Sequence, residues 1–446
     1  MMRRVLIVSP HFPPINAPDM QRIRMSLPHY RACGWEPVVL CVGERWQDAV
    51  REPGLDATVP ADVAVVRRPA FALRWTRLLG VRNLGLRCWC HFLAAGSRII
   101  RRERIDLVFF SNTQFVTFTL GRIWGALHGV PYVVDIQDPW RTDYYSRAGS
   151  RKPPGGWKYK VARAMAWLLE GWSFRRVDGV MSVSPAYLDD LRARYSWLTR
   201  TPADAIPFGA SREDLAAAIR VSDRPPYFSR TQGEIHLLYT GAAGPVMPHA
   251  LTVLFDALRL YREKNPTGAR RFRFHFVGTS YAAPGQGVPA ILPLAERCGV
   301  ADQVAETPHR LGHLESLRLQ QEADVLLLAG SSDLAYSPSK IYPCFLAGPP
   351  ILAVVFSGSV LENILDELQC AFLVRFREAG PRDAAQAALT AFFDTALAGF
   401  PAASLPERNR AFFERHYLAP SLTQRQAGLF DAALARHRGQ PAVPTR

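Results

Sequence analysis

The chain lacks a long apolar run. No stretch of its 446 residues approaches the ~20 apolar residues of a membrane-spanning helix. The opening MMRRVLIVSPHF has arginines followed by an apolar run of only Val5 to Val8. That is shorter than a secretory h-region, so a buried first strand and a cytoplasmic protein are expected. Cysteine is scarce and scattered, at positions 33, 41, 88, 90, 298, 344 and 370. No CxxC and no Cys/His ligand spacing occurs, and Cys88 and Cys90 make a poor disulfide pair, which predicts reduced, mostly packed thiols and no metal site. No GxGxxG follows any predicted strand, which disfavours a dinucleotide enzyme.

Acidic residues are short in the first half. Positions 1–205 hold 30 basic and 17 acidic residues, a net +13, and the remainder holds 24 and 22, a net +2. From Arg67 to Arg104 there are ten arginines and one acid, Glu103. In FALRWTRLLGVRNLGLRCWCHFLAAGSRIIRRER the arginines alternate with Phe, Trp and Leu. Such a stretch fits either an anionic membrane surface or a solvated basic helix face. No nucleic-acid motif accompanies it.

What is present is alternation. With 48% hydrophobic and 21% charged residues the composition is globular, and the length calls for two domains of roughly 200 residues. Short β-rich runs are predicted as strands at Val5–Ser9, Pro37–Val42, Val63–Arg67, Leu107–Ser111, Tyr132–Ile136 and Gly179–Ser184. After a turn-rich break near Thr201–Gln232 they resume at Ile235–Tyr239, Phe272–Val277, Val304–Glu306, Val325–Leu328, Ile351–Val355 and Phe372–Val374. Helices are expected between them, including Gln21–Cys33 closed by Gly34, Phe115–His128 closed by Gly129, and a last one at Leu422–Arg436. SRAGSRKPPGGWKYK at 146–160 reads as a surface loop. The pattern is α/β: two Rossmann-like domains with parallel sheets, at 1–205 and 233–400, joined by a linker at 206–232.

In open α/β sheets ligands bind beyond the C-terminal ends of the strands. The loops there are PHFPPINAPDMQR, SNTQ and QDPWR in the first half, and TGAAGPV, GTSYAAPG, TPHRLGHLE and AGSSDLAYSPSK in the second. They are rich in Gly, Ser and Asn, as a nucleotide site between two domains would require.

Nearly the whole chain resembles a GT-B glycosyltransferase of the family 4 type. The resemblance runs in order through HFPP…QRIRMSLPHYRACGWEPVVL, PYVVDIQDPW, DGVMSVSPAYLDDLRARY, IPFGA, LLYTGAAGP, FHFVG, ADVLLLAG and SKIYPCFLAGPPILAV. It implies two domains facing across a cleft and C-terminal helices (401–446) returning to the first domain. It implies sugar transfer from a nucleotide-sugar to a glycan or lipid-linked acceptor, in the manner of a hexosyltransferase of polysaccharide biosynthesis. Retention of configuration, no metal and no cofactor follow from it as well. The second domain would hold the donor through Gly241, Ala242, Gly244, Gly278, His309, Ser337, Ser339, Lys340 and Tyr342. Pro14, Asn16, Arg22, Ser111, Asn112, Gln137 and Trp140 would lie on the acceptor side.

Lys340 is assigned the leaving diphosphate, on the argument that a cation at a helix start stabilises developing charge. Ser339 is either a second phosphate ligand or the helix cap. Asp138 either orients and deprotonates the acceptor hydroxyl or caps the turn before Pro139. Of Arg22 and Arg24, one meets phosphate or acceptor and the other is a helix-surface residue. His309 either meets the base or is structural.

The sequence also departs from the family pattern. Relatives carry two glutamates eight residues apart, where this chain has Ala335 and Pro343, and Asp333 only lies close to the first position. Pro343 is tolerable in a first helical turn. The Arg and Lys that relatives place after the first strand of the second domain are absent from GAAGPVMPHA. Gln137 stands where many carry histidine, and NAPD replaces the common glycines. The alternative reading is therefore a catalytically inactive GT-B protein that serves as a binding subunit.

Overall fold

The computed structural model describes residues 2–141, 156–220, 227–228, 233–243, 247–280, 286–332, 334, 339–377 and 382–440, with backbone only at 157–158. The loop expected at 146–160 lies mostly outside the described residues, as do Gly244, Asp333, Ala335 and Ser337. The chain forms two compact units, Met1–Gly209 with Ala419–Arg446, and Ala210–Leu418.

The first unit is built on seven parallel strands, β1 (Arg3–Val8), β2 (Trp35–Val42), β3 (Ala64–Arg68), β4 (Leu107–Ser111), β5 (Tyr132–Ile136), β6 (Gly179–Ser182) and β7 (Ala203–Ala205). Their order is β3-β2-β1-β4-β5-β6-β7. The central strands are apolar on both sides because helices cover both faces. Phe92, Phe118 and Trp124 pack on one face, and Ile23, Leu27 and Phe430 on the other. β7 escaped the sequence reading because Ala-Asp-Ala has no β-forming side chain. Arg425 holds it by pairing with Asp204 at 2.6 Å.

Helix ends follow the expected stop chemistry, with Gly34 and Gly129 left-handed at φ 83° and 66°. The helix predicted at Gln21–Cys33 is shorter. It runs α-helical over Gln21–Ser26 and then tightens into 3₁₀ turns at Leu27–His29 and Arg31–Cys33. The ring of Pro28 cannot follow an α-helical turn without striking a carbonyl. The C-terminal helix, Ala419–His437, belongs to the first unit. Phe430 meets Tyr30, Trp35 and Phe109 at 6.0, 5.5 and 4.9 Å, and the Tyr30 hydroxyl donates to Gln426 at 2.7 Å.

The second unit has six parallel strands, β8 (Ile235–Thr240), β9 (Phe272–Val277), β10 (Val304–Thr307), β11 (Val325–Ala329), β12 (Ile351–Phe356) and β13 (Ala371–Phe376), ordered β10-β9-β8-β11-β12-β13. Two expectations about its limits are corrected. The segment read as linker contains the helix Arg212–Arg220, which belongs to this unit, where Asp214 meets His313 at 2.9 Å. The helix Arg410–Tyr417 also stays here, because Phe413 stacks on Phe345 at 4.1 Å and Tyr417 on Tyr342 at 4.5 Å. The seven cysteines are unpaired, and all but Cys33 and Cys90 are buried.

A histidine pair joins β8 to β9, with His236 Nδ1 3.0 Å from His275 Nε2. Burial, and then the neighbouring His236, push His275 down to about 4. A histidine depressed in the fold favours the neutral state. Stability is therefore present above its unfolded value of about 6.5 and lost as pH falls through about 4. Urea unfolding is expected to show this loss between pH 6.5 and 4, and His275→Leu is expected to flatten it.

Candidate functional site

In both sheets the chain reverses direction across the sheet beside the first strand. β1 lies between β2 and β4, and β8 lies between β9 and β11. The C-terminal ends of these strands are the switch points where doubly wound sheets bind ligands.

At the second unit's switch point the central residue is Lys340, immediately before the helix Ile341–Ala347. Its Nζ donates to the Tyr239 hydroxyl at 2.6 Å and lies 3.9 Å from the centre of that ring. Tyr239, on β8, is buried, and its hydroxyl contacts the Ala242 carbonyl at 3.0 Å. Among the described residues Lys340 pairs with no carboxylate. Burial of the ammonium end pushes it down to about 7. Gly241, at φ 101°, brings the turn after β8 up to it, so that a Cβ there would sit 3.4 Å from Nζ. The turn is braced by backbone bonds from Gly241 to Val277 (2.9 Å) and from Ala243 to Thr279 (2.9 Å). Gly278, bonded to Thr307 at 2.8 Å, lies alongside.

The structure thus brings together Lys340, Gly241, Ala242 and Gly278. Ser339 is exposed and is not the cap, since Lys340 takes that position with no side-chain cap bond. The helix is only seven residues long, so the ammonium rather than the dipole is the main charge here. Pro343 sits within its first turn, as expected. Tyr342 is buried and stacked on Tyr417, which makes it a packing residue rather than a donor contact. His309 is half-buried beyond β10. Tyr239 was missed. "LYTG" reads as a strand and a turn, and the direction of a strand hydroxyl is set by tertiary packing.

At the first unit's switch point most of the expected acceptor-side residues prove to be a buried network. Arg22 is 3% exposed. Its Nε pairs with Asp135 Oδ2 at 2.9 Å, and its Nη2 donates to the Ile206 carbonyl at 2.7 Å. Ser111 donates to Asp135 at 2.8 Å, and Gln137 Nε2 lies 3.0 Å from Ser111 and 3.2 Å from Asp135. Arg24 is fully buried and held by Gln21 and Thr58, so it is not a surface residue. Asn112 is committed to the Val8 carbonyl and the Gln114 amide. Asn16 is buried and bonded to Val50 and Gln21, and the Pro14 carbonyl accepts from Glu52 at 2.9 Å. Trp140 stacks on Phe115 at 5.7 Å.

What remains open in this unit is Asp138, together with a pair that the sequence reading passed over, His11 and Asp19. Asp138 is exposed. Desolvation by the surrounding protein, and then the Asp19 carboxylate, push its carboxyl up. Among the described residues no group of three or more His, Cys, Asp or Glu is arranged to hold a metal ion, and no helix is long and apolar enough to cross a membrane.

Comparison with solved structures shows the same architecture. Sucrose-phosphate synthase from Thermosynechococcus elongatus aligns at TM-score 0.57 and 13% identity, covering 97% of this chain and 100% of its own. An α,α-trehalose-phosphate synthase (UDP-forming) from Burkholderia vietnamiensis aligns at 0.55 and 14%, covering 100% of both. The Anabaena protein HepE in complex with UDP aligns at 0.54 and 15%, covering 96% of this chain and 99% of its own. No curated protein matches the sequence significantly. The chain has the fold of the GT-B glycosyltransferases. Residues 21–209, which end where the first segment of unit one ends, match the family described as glycosyl transferase 4-like domain.

Proposed function

We propose that the protein transfers a sugar from a uridine diphosphate sugar to a hydroxyl of a glycan or lipid-linked acceptor, with retention, without a metal, and in the cytoplasm. One observation carries this reading: the Lys340 ammonium lies at the switch point of β8 and β11 with no anionic partner among the described residues. A cation removed from water without a counter-ion is costly unless a ligand supplies the charge. A diphosphate supplies it, and the turn at Gly241 brings backbone close to where that diphosphate would lie. Uridine is preferred because the Anabaena neighbour was solved with UDP. Asp138 is kept as a candidate for orienting the acceptor.

Calorimetry with UDP, GDP, ADP and dTDP tests this, with UDP expected to bind. A diphosphate favours the charged lysine, so the complex holds it above the free value of about 7. UDP binding is then expected to take up protons, with an enthalpy that depends on the buffer and an affinity that falls as pH rises from about 7 to 9. No binding of any of the four at millimolar concentration would remove the donor site. UDP binding without turnover of any UDP-sugar would favour the inactive binding subunit.

The same proposal includes attachment to an anionic membrane surface through Arg67–Arg104. Trp75, Leu78 and Leu79 are 63, 78 and 82% exposed beside Arg74, Arg77 and Arg82. Arg87 takes no part, being buried on the Phe71 and Trp46 carbonyls. Aromatic and leucine tips among arginines suit a bilayer interface. Flotation with phosphatidylglycerol vesicles is expected to carry the protein. Trp75→Ser with Leu78→Ser and Leu79→Ser is expected to cut binding about tenfold. Failure of the wild type to float would assign the arginines to solvent.

A further inference from the structure

The first sheet has a cleft at its other edge, where β5 and β6 begin rather than end. Its volume is about 320 Å³, and Tyr132 and Asp178 lie at its inner end. Four arginines line it. Arg122 comes from the helix Thr119–His128, Arg175 and Arg176 follow the helix Trp157–Phe174, and Arg436 is in the last turn of the C-terminal helix. All four belong to the first unit.

The charge of this cleft is not balanced. None of the four arginines forms an ion pair among the described residues. Asp178 is the one acid in the lining, and it is already engaged. It accepts from the Tyr132 amide at 3.0 Å and lies 3.1 Å from His437 Nδ1. The arginine charges reach inward. Burial, and then Asp178, raise the Tyr132 hydroxyl, while Arg122 and Arg176 work against them. Burial also raises the Asp178 carboxyl, and the Tyr132 bond, the His437 bond and charge, and the charge of Arg436 oppose it.

Two of the guanidinium groups are held in place. Arg122 donates to the Trp172 carbonyl at 2.7 Å and lies 4.4 Å from the centre of that ring, and Arg175 lies 5.5 Å from the Trp197 ring. A fixed guanidinium loses little freedom on binding a ligand. Three helices end at this edge, and the carbonyl ends of helices favour a cation in the last turn. That accounts for Arg436 and for one of Arg175 and Arg176. It does not account for Arg122, which lies near the start of its helix.

We propose that this cleft binds a phosphate-bearing anion, either a small soluble phosphomonoester or the phosphomonoester headgroup of a lipid. A cleft lined by one sign of charge concentrates counter-ions. The planar fork of arginine matches phosphate oxygens two at a time. The volume corresponds to about ten water molecules at ~30 Å³ each, which holds a phosphate with a small organic group. The site does not depend on the sugar-transfer reading, since Lys340 belongs to the other unit.

Calorimetry on the full chain with inorganic phosphate and phenyl phosphate tests the soluble source. Phenyl phosphate is expected to bind, and less tightly as salt is raised. Arg176→Gln with Arg436→Gln, both exposed, is expected to lower its affinity at least tenfold and to melt no lower than wild type. Arg163→Gln with Arg200→Gln removes the same charge from exposed positions of the same unit and is expected to leave affinity within about twofold. The lipid source is read by flotation with phosphatidic acid vesicles, in the Trp75→Ser, Leu78→Ser, Leu79→Ser background. Flotation that the cleft pair of substitutions abolishes, without binding of phenyl phosphate, assigns the site to a headgroup. Binding of phenyl phosphate that the same pair abolishes assigns it to a soluble ligand. No binding in either arm overturns the inference, as does equal loss with Arg163→Gln and Arg200→Gln. Loss with Lys340→Met in place of the cleft pair puts the phosphate at the donor site and overturns it too. A cleft pair that binds like wild type and melts lower assigns the arginines to the helix ends alone, which also overturns it.

Discussion

Lys340→Met is expected to melt higher than wild type and to lose UDP binding. The two effects have one cause. The ammonium lies against a buried tyrosine ring with no carboxylate among the described residues to offset its lost hydration. Methionine has nearly the same length and needs no partner. Tyr239 keeps its contact with the Ala242 carbonyl, so no buried hydroxyl is orphaned. Replacing an uncompensated charge by an apolar side chain typically stabilises by ~1–3 kcal/mol. For a unit the size of residues 210–418 this is roughly 2–4 °C per kcal/mol. Loss of the cation removes the charge that meets the diphosphate, and UDP affinity is expected to fall at least tenfold, or ~1.4 kcal/mol. Scanning calorimetry with and without UDP reads both. A variant that melts lower and still gains stability from UDP would make Lys340 a structural residue. Functional residues held at a cost to stability are where such opposed effects are found.

The sheets were legible because their signal is local. Leu107–Ser111, Tyr132–Ile136 and Phe272–Val277 are predicted to the residue, the first two because strands buried on both faces are mostly apolar and the third because Phe272, Phe274 and Phe276 alternate with Arg273 and His275. Lys340 was legible through the motif around it. Its partner was not, because Tyr239 lies 101 residues away and nothing in a strand pattern says where a hydroxyl points. Asp19 was hidden for the same reason, with Thr113 94 residues distant. Its place in "NAPD" reads only as a turn. The helix-surface reading of Arg24 failed for a different reason. Charged residues on a short helix are read as facing solvent, but this helix is six residues long and buried on most of its circumference. Both arginines are buried, each with side-chain or backbone acceptors supplied from elsewhere in the unit.

Arg22→Ala is therefore expected to act on stability rather than on substrate. The guanidinium pairs with Asp135, donates to the carbonyls of Ile206 and Pro207 at 2.7 and 3.3 Å, and lies over Phe208 at 5.0 Å. Removing it strands a carboxylate with no exposure, left among the described residues with Ser111 and Gln137 as donors. Breaking one side of a buried pair costs ~3–5 kcal/mol, because the surviving charge stays buried without its partner. That is a large share of the ~5–15 kcal/mol that holds a domain folded. Arg22→Ala combined with Asp135→Asn is expected to recover more than half of the loss, since the amide carries no charge to strand. Urea unfolding of the two variants beside wild type measures the coupling. UDP affinity of the folded fraction is expected to stay within twofold of wild type. Unchanged stability with a fall in kcat would instead return Arg22 to the acceptor side.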